Sequence, residues 1–339
     1  MSYYESTIER RKTGLIYWDQ DWASGCYTLY TPQTGNGLVK LISINGDTVR
    51  EWKLPVRPGR DAVILDIGYP YNTKGGRSNG NLGYNGSHKK SMELYPAWDI
   101  WHGGHFMEVT PKGDIVWEHE DPYHHHDAQW LENGNLLYAV AEEAFVSPIG
   151  PVISDRIKEV NLKGEVVWEW CVWEHIFPHI YKTHECFNTD HWPMVNGVHQ
   201  TEDGLILLSL RTTSGIIAVD KETKEIVWEL KYPLVAQQHD PTLTEEGNVL
   251  CFDNGNIRPN SIHHSRIVEY DPKTKELVWS YVDPMPPAFF SPYMGGVEKL
   301  WNGSYSICES AFGRIFEVNL KGELMWEYVI PEFAEYPEP

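Results

Sequence analysis

Six times along the 339 residues an alternating strand runs into a tight turn and a second strand that ends near a tryptophan. The copies are LVKLISINGDTVREW (38–52), HFMEVTPKGDIVWEH (105–119), RIKEVNLKGEVVWEW (156–170), GIIAVDKETKEIVWEL (215–230), RIVEYDPKTKELVWSY (266–281) and RIFEVNLKGELMWEY (314–328). Their tryptophans, Trp52, Trp117, Trp168, Trp228, Trp279 and Trp326, follow one another at 65, 51, 60, 51 and 47 residues. Period-two alternation around a Gly or Lys-Thr-Lys turn is the pattern of a β-hairpin, and a unit of this length repeated along a chain is one structural module stacked on its neighbours.

A second type of hairpin lies between these copies: HDAQWLENGNLLYAV (126–140), NGVHQTEDGLILLSL (196–210), HDPTLTEEGNVLCFD (239–253) and GGVEKLWNGSYSICE (295–309). Two hairpins make a four-stranded sheet. Six such sheets predict an all-β fold, a six-bladed β-propeller forming a single domain over 1–339, with blades at about 14–55, 61–121, 125–171, 193–231, 236–282 and 293–330. A β-sandwich would not require one motif to recur six times. Fifteen Trp and nineteen Tyr fit sheets packed by large aromatics. The Gly/Asn-rich run from Gly75 to Gly86 is expected as a rim loop. The excursions 145–155, 173–192 and 283–292 are expected to cover one end of the channel.

Composition narrows function. With 48 Asp and Glu against 28 Lys and Arg the net charge is −20, which disfavours nucleic acid and anionic membrane surfaces as partners. Five scattered cysteines without a CxxC predict neither a disulfide framework nor a thiolate zinc site. The N-terminus has no apolar export segment and the chain no membrane-length apolar run, so a cytoplasmic location is expected. Nothing bears on the oligomeric state.

Counting back eight residues from each inner-turn glycine reaches His126, Asn196, His239 and Gly295, which brings two imidazoles and an amide toward one axis. Arg211 ends the apolar strand GLILLSLR, where a lone cation is costly unless it meets an anion. Asp127 and Asp240 follow the two histidines and suit bonds to local backbone. The runs His124–His126 and His263–His264 allow a metal reading. Residues i and i+2 of a strand share a face, so a divalent ion would draw on His124, His126, His239 and His263, with His125 turned away. No hydrolase elbow, Walker loop or dinucleotide fingerprint is present.

From Asp190 to Tyr281 the order NGV, GLILLSLR, SGIIAVD, IVWEL, QQHD, GNVLCFDNGN, SRIVEYD, VWSY, with HHDAQWLENGN upstream at 125–135, resembles the propeller-type bacterial arylsulfate sulfotransferases. The resemblance implies transfer of a sulfuryl group from an aryl sulfate to a phenol, with no cofactor. It implies that His239 carries the sulfuryl group, Arg211 binds its oxygens and His126 flanks the donor oxygen, with Asn196, Met194 and His191 on the substrate side. The family pattern has a histidine where Met194 stands, two before Asn196; His191 is the nearest substitute. Familiar members are commonly exported. Two rival expectations are a metal-dependent lyase or hydrolase on the same propeller, and a non-catalytic binding propeller.

Overall fold

The computed structural model describes residues 12–65, 80–90, 102–187, 189–259 and 261–333. Among the described residues, twenty-four strands form six antiparallel sheets. The first has β2 (Thr28–Tyr30), β3 (Leu38–Ile42) and β4 (Thr48–Lys53); the second β5 (Pro58–Ile64), β6 (Leu82–Ser87), β7 (Gly104–Val109) and β8 (Ile115–Glu120). Next come β9 (His124–Trp130) to β12 (Val166–Cys171), then β13 (Val195–Gln200) to β16 (Ile226–Lys231), then β17 (His239–Leu243) to β20 (Leu277–Tyr281). The last sheet holds β21 (Gly296–Lys299), β22 (Tyr305–Glu309), β23 (Arg314–Val318) and β24 (Leu324–Val329). These are the blades of a six-bladed β-propeller, as the repeat predicts. Among the described residues, apart from the helical pair 89–90, helix amounts to a single turn, α1 (Val172–His175), and two 3-10 turns. None of the described helices is long and apolar enough to cross a membrane.

The buried apolar side chains fall into six clusters, each filling the seam between two neighbouring blades, including the seam from the sixth blade to the first. This explains why the inner strands read as continuous apolar runs: both faces of each blade are covered. The tryptophan repeat has its own cause. The indole N–H of Trp52 donates to the Thr110 carbonyl, Trp117 to Leu162, Trp168 to Lys221, Trp279 to Leu320 and Trp326 to Ile44, at 2.7–3.2 Å. Each acceptor lies in the outer turn of the next blade, so the indoles clasp the blades in sequence and Trp326 closes the circle. The turns need one left-handed residue. Glycine supplies it in most; Lys224 and Lys275 adopt it, at φ 63° and 62°, in the Lys-Glu-Thr-Lys turn 221–224 and the Lys-Thr-Lys turn 273–275.

Three expectations are corrected. β1 (Gly14–Trp18) does not join the first blade; it pairs with β24 as a fifth strand on the sixth. The edge of β24 offers it an open ladder, and the first blade shows three strands among the described residues. Of the expected rim loop, 75–79 lies outside the described residues, but Leu82–Ser87 is β6, a completely buried strand. Its glycines reflect close packing rather than a loop: a Cβ on Gly83 would come within 2.7 Å of the Trp130 ring, and one on Gly86 within 2.6 Å of Val56. Segment 145–155 is not an irregular excursion, because β10 (Leu136–Val146) and β11 (Gly150–Val160) run past their neighbours as a paired hairpin of two eleven-residue strands.

Candidate functional site

The inner strands of blades two to five all slip register near the channel. β5 shifts between Pro58 and Ala62, β9 between His124 and Ala128, β13 between Val195 and Gly197, and β17 between His239 and Thr242. Such bulges re-aim side chains that a regular ladder would send to alternate faces. Arg60 and Asp61, His125 to Asp127, Asn196 and Asp240 occupy these irregular windows. His126, Met194, Gln237 and Asp240 hold left-handed backbone conformations at φ 54–60°, which non-glycine residues adopt at a cost.

His239 is fully buried, and its Nδ1 lies 2.7 Å from Asn254 Oδ1. The Asn254 amide nitrogen donates to the Ser291 and Met294 carbonyls at 2.8 Å, so the amide oxygen must face the histidine. Nδ1 of His239 is therefore the protonated nitrogen, and Nε2 keeps its lone pair. Burial, then the charges of Arg60 and Arg211, holds this imidazole well below its ordinary pKa, so it is neutral at pH 7. The Asn196 amide donates to the Gln238 carbonyl at 2.9 Å and holds the backbone just before His239; its Oδ1 has no partner.

Arg211 is largely enclosed, its guanidinium 5.0 Å from the Phe187 ring centre, and it forms no ion pair among the described residues. Burial lowers its pKa. A cation held this way has an unmet demand for an anion. His126 is buried, with Nδ1 2.8 Å from Nδ1 of His125, and burial, then the charges of His125, Arg60, His191 and His239, depresses its pKa. The mutual influence of His126, His239, Arg60 and Arg211 puts these four groups in one electrostatic neighbourhood.

Two of these contributors were not anticipated from sequence. Arg60 has a buried Nη1 without a partner, and its charge bears on His126, His239, Asp127 and Asp240. It sits at the bulge of the second blade, where the turn glycine of the inner hairpin, Gly80, is separated from Leu65 by a long insertion, so a count of eight back from it misses Arg60. Asn254 lies in the FDNGN motif, where it reads as a turn residue. Asp127 and Asp240 bond to backbone, but across a seam: Asp127 accepts from Val198 N and Asp240 from Val297 N, each at 2.8 Å and each in the next blade. Burial raises the Asp240 carboxyl to about 6.

Met194 is half-buried, with its carbonyl accepting from Arg211 N. His191 is buried and committed to Asp155, with Nε2 2.7 Å from Oδ1. The four-histidine ligand set does not assemble. His124 turns to the Asp127 carbonyl at 3.3 Å, and His263 is exposed beside Phe290. The bulge breaks the alternation that would have paired His124 with His126, and His125, far from turning away, meets both His126 and Asp155.

A cavity of about 1460 Å³ opens between the first and sixth blades and reaches Arg60, Asp61, Asp127 and Asp240 at the channel. His126, His239 and Arg211 are not among the residues that line it.

The chain is similar in fold to a protein of unknown function from Bacteroides caccae, with 14% identity over 89% of this chain and 93% of the other and a TM-score of 0.56. It is likewise similar to a streptogramin B lyase, with 12% identity over 91% and 84% and a TM-score of 0.51. At these identities the likeness concerns the fold alone. No curated protein sequence matches the chain. The model of the family described as arylsulfotransferase (ASST) matches residues 97–330, which takes in five of the six tryptophan hairpins and the segments carrying His126, Asn196, Arg211 and His239, and the chain belongs to that family.

Proposed function

We propose that the protein transfers a sulfuryl group from an aryl sulfate to a phenolic acceptor by way of an N-sulfo intermediate on His239. The observation that carries this reading is the tautomer of His239: Nδ1–H donates to Asn254 Oδ1, and Nε2 is left as a neutral nucleophile at ordinary pH. In the first step the Nε2 lone pair attacks sulfur, the N–S bond forms, and the S–O bond to the aryl oxygen breaks. Arg211, without a carboxylate partner, supports this by matching the charge of the sulfuryl oxygens, and Arg60 supplies a second cation from the opposite blade. The departing phenolate leaves beside His126. In the second step the acceptor oxygen attacks sulfur, the N–S bond breaks to return His239 as a neutral imidazole, and the phenolic proton of the acceptor passes to solvent. Met194 stands where the family pattern has a histidine and His191 is occupied by Asp155, so acceptor activation is the slower half.

Splitting the reaction in two provides the test. Mixing the protein with 4-nitrophenyl sulfate, without acceptor, should release up to one equivalent of nitrophenolate and add a sulfuryl mass to the peptide containing His239. His239→Ala should lose both. A burst that survives the substitution removes His239 as nucleophile, and no release from any aryl sulfate removes the reaction.

A further inference from the structure

We propose that His125, Asp155 and His191 form a binding site for a divalent first-row transition metal ion, beside the sulfuryl site and separate from it. The three side chains are at most 3% exposed, and a ligand atom from each lies within 4.8 Å of the others. His191 Nε2 and His125 Nε2 converge on one oxygen, Asp155 Oδ1, at 2.7 and 3.1 Å. Ligands about 2.1 Å from a metal sit about 3.0 Å apart along an octahedral edge, so these separations suit a shared ion after small adjustments. Two imidazoles and a carboxylate on one face are the donor set that first-row divalent metals favour, while the harder Mg²⁺ and Ca²⁺ prefer oxygen.

Hydrogen bonding alone leaves this cluster incomplete. His191 bonds well to Asp155 Oδ1, but the ring of His125, though close to the same oxygen, is not aligned to donate, and its buried Nε2 has no hydrogen-bond partner. Asp155 Oδ2 is also buried and unbonded, as is the hydroxyl of neighbouring Ser154. No lysine or arginine among the described residues pairs with Asp155, whose contacts of opposite sign are the two histidines alone. A cation held between Asp155 Oδ2 and His125 Nε2 would satisfy both of these buried atoms.

The three ligands come from separate places. His125 comes from the bulge of β9 and Asp155 from β11. His191 comes from the 189–192 segment, which bridges Ile153 of the same strand. The site therefore pins the 173–192 excursion to the third blade. It also touches the reaction, in a step that rests on the proposed function: a metal on His125 Nε2 leaves the remaining proton on Nδ1, facing His126 Nδ1 at 2.8 Å. His126 then carries its own proton on Nε2, as a donor to a departing oxygen needs to do.

Chelator-stripped protein titrated with Co²⁺ should bind one equivalent and develop visible d–d absorption. Zn²⁺ should displace the Co²⁺, an excess of Mg²⁺ should not, and either transition metal should raise the melting temperature. His191→Ala and Asp155→Asn should each weaken Co²⁺ binding at least tenfold. Absence of saturable binding to the folded wild type overturns the proposal, as does unchanged binding in a folded variant. If both variants fail to fold, anomalous scattering at the cobalt edge from wild-type crystals decides: a peak between His125, Asp155 and His191 supports the site, and a peak elsewhere or none rejects it. The nitrophenolate burst is measured separately on the same samples. Metal binding without a burst rejects only the sulfuryl reaction, and a burst in protein that binds no metal rejects only this site.

Discussion

Two seams of the ring are built very differently. Between the third and fourth blades eighteen buried apolar residues form one cluster, joined by Trp192, Ile176 and Tyr181 from the excursion that follows β12. Between the sixth and first blades the cluster has five, and the cavity of about 1460 Å³ lies beside it. The dense seam carries Asn196, Arg211, His191 and the bulge of His126; the sparse one carries the closure of the circle. A buried lone cation and left-handed non-glycine residues are strained features that persist only where surrounding packing over-determines them. The closure seam has fewer buried apolar residues to hold it, and the cavity beside it reaches Arg60, Asp61, Asp127 and Asp240.

Arg211 offers the largest test of that contrast. Arg211→Met should lower turnover of an aryl sulfate by about 10²–10³, the effect of removing one preorganised charge donor. The same substitution should leave the melting temperature unchanged or raise it, because an enclosed guanidinium without a counter-ion is exchanged for an apolar chain of similar length. Steady-state kinetics and calorimetry on the same sample check both. A variant that loses activity and stability together would mean that Arg211 is a packing residue.

The indole clasps give a middle-sized test, since one hydrogen bond can be removed at either seam. Trp168→Phe frees the Lys221 carbonyl and Trp326→Phe that of Ile44, and each should cost about 1–2 kcal/mol. At the dense seam Trp170 makes a second clasp to the Lys224 carbonyl at 3.1 Å, and the large apolar cluster remains. There the loss should appear as a small drop in global stability. At the closure seam Trp326→Phe should expose local opening, with faster amide exchange across β1, β2, β3 and β24 than in blades three to five. Equal exchange profiles for the two variants would mean that the seams are energetically alike.

The same contrast explains what the sequence made legible. The tryptophan hairpins were readable because each repeats one local device, an outer turn and an indole that bonds to the next turn. The positions of His126, Asn196 and His239 could be counted because inner turns with a left-handed glycine stand at a fixed distance from the rim. Bulges were not readable. They depend on pairing with a partner strand, and they decide that His125 rather than His124 joins His126, and that Arg60 reaches the site. β6 was hidden for a related reason: LGYNGS has little hydrophobicity of its own, and its glycines make sense only against Trp130 and Val56. Asn254 looks like a turn residue until its amide is seen between His239 and two carbonyls.

The smallest effect concerns the carboxyls where the cavity meets the channel. Asp240 titrates at about 6 in the folded protein, raised by burial from an ordinary value of 3.8, and lines the open seam's cavity. A carboxyl whose folded pKa is raised stabilises the fold in its protonated form: that contribution is complete below about pH 4 and is lost as pH rises through 6. Wild-type protein should therefore lose stability from this group between pH 4 and 7. The buried neutral histidines, His124, His126 and His239, act in the opposite sense, because their depressed folded pKa values cost stability as pH falls below 6.5. Asp240→Asn isolates the carboxyl, since the amide oxygen can still accept from Val297 N. Relative to wild type the variant should gain about 1 kcal/mol on going from pH 4 to pH 7, a figure reduced for the channel water that reaches the side chain. Denaturant unfolding of both proteins at the two pH values measures it. A difference that stays flat would place Asp240 in open solvent, and a difference of opposite sign would mean that Arg60 pairs with the ionised carboxylate strongly enough to outweigh its burial.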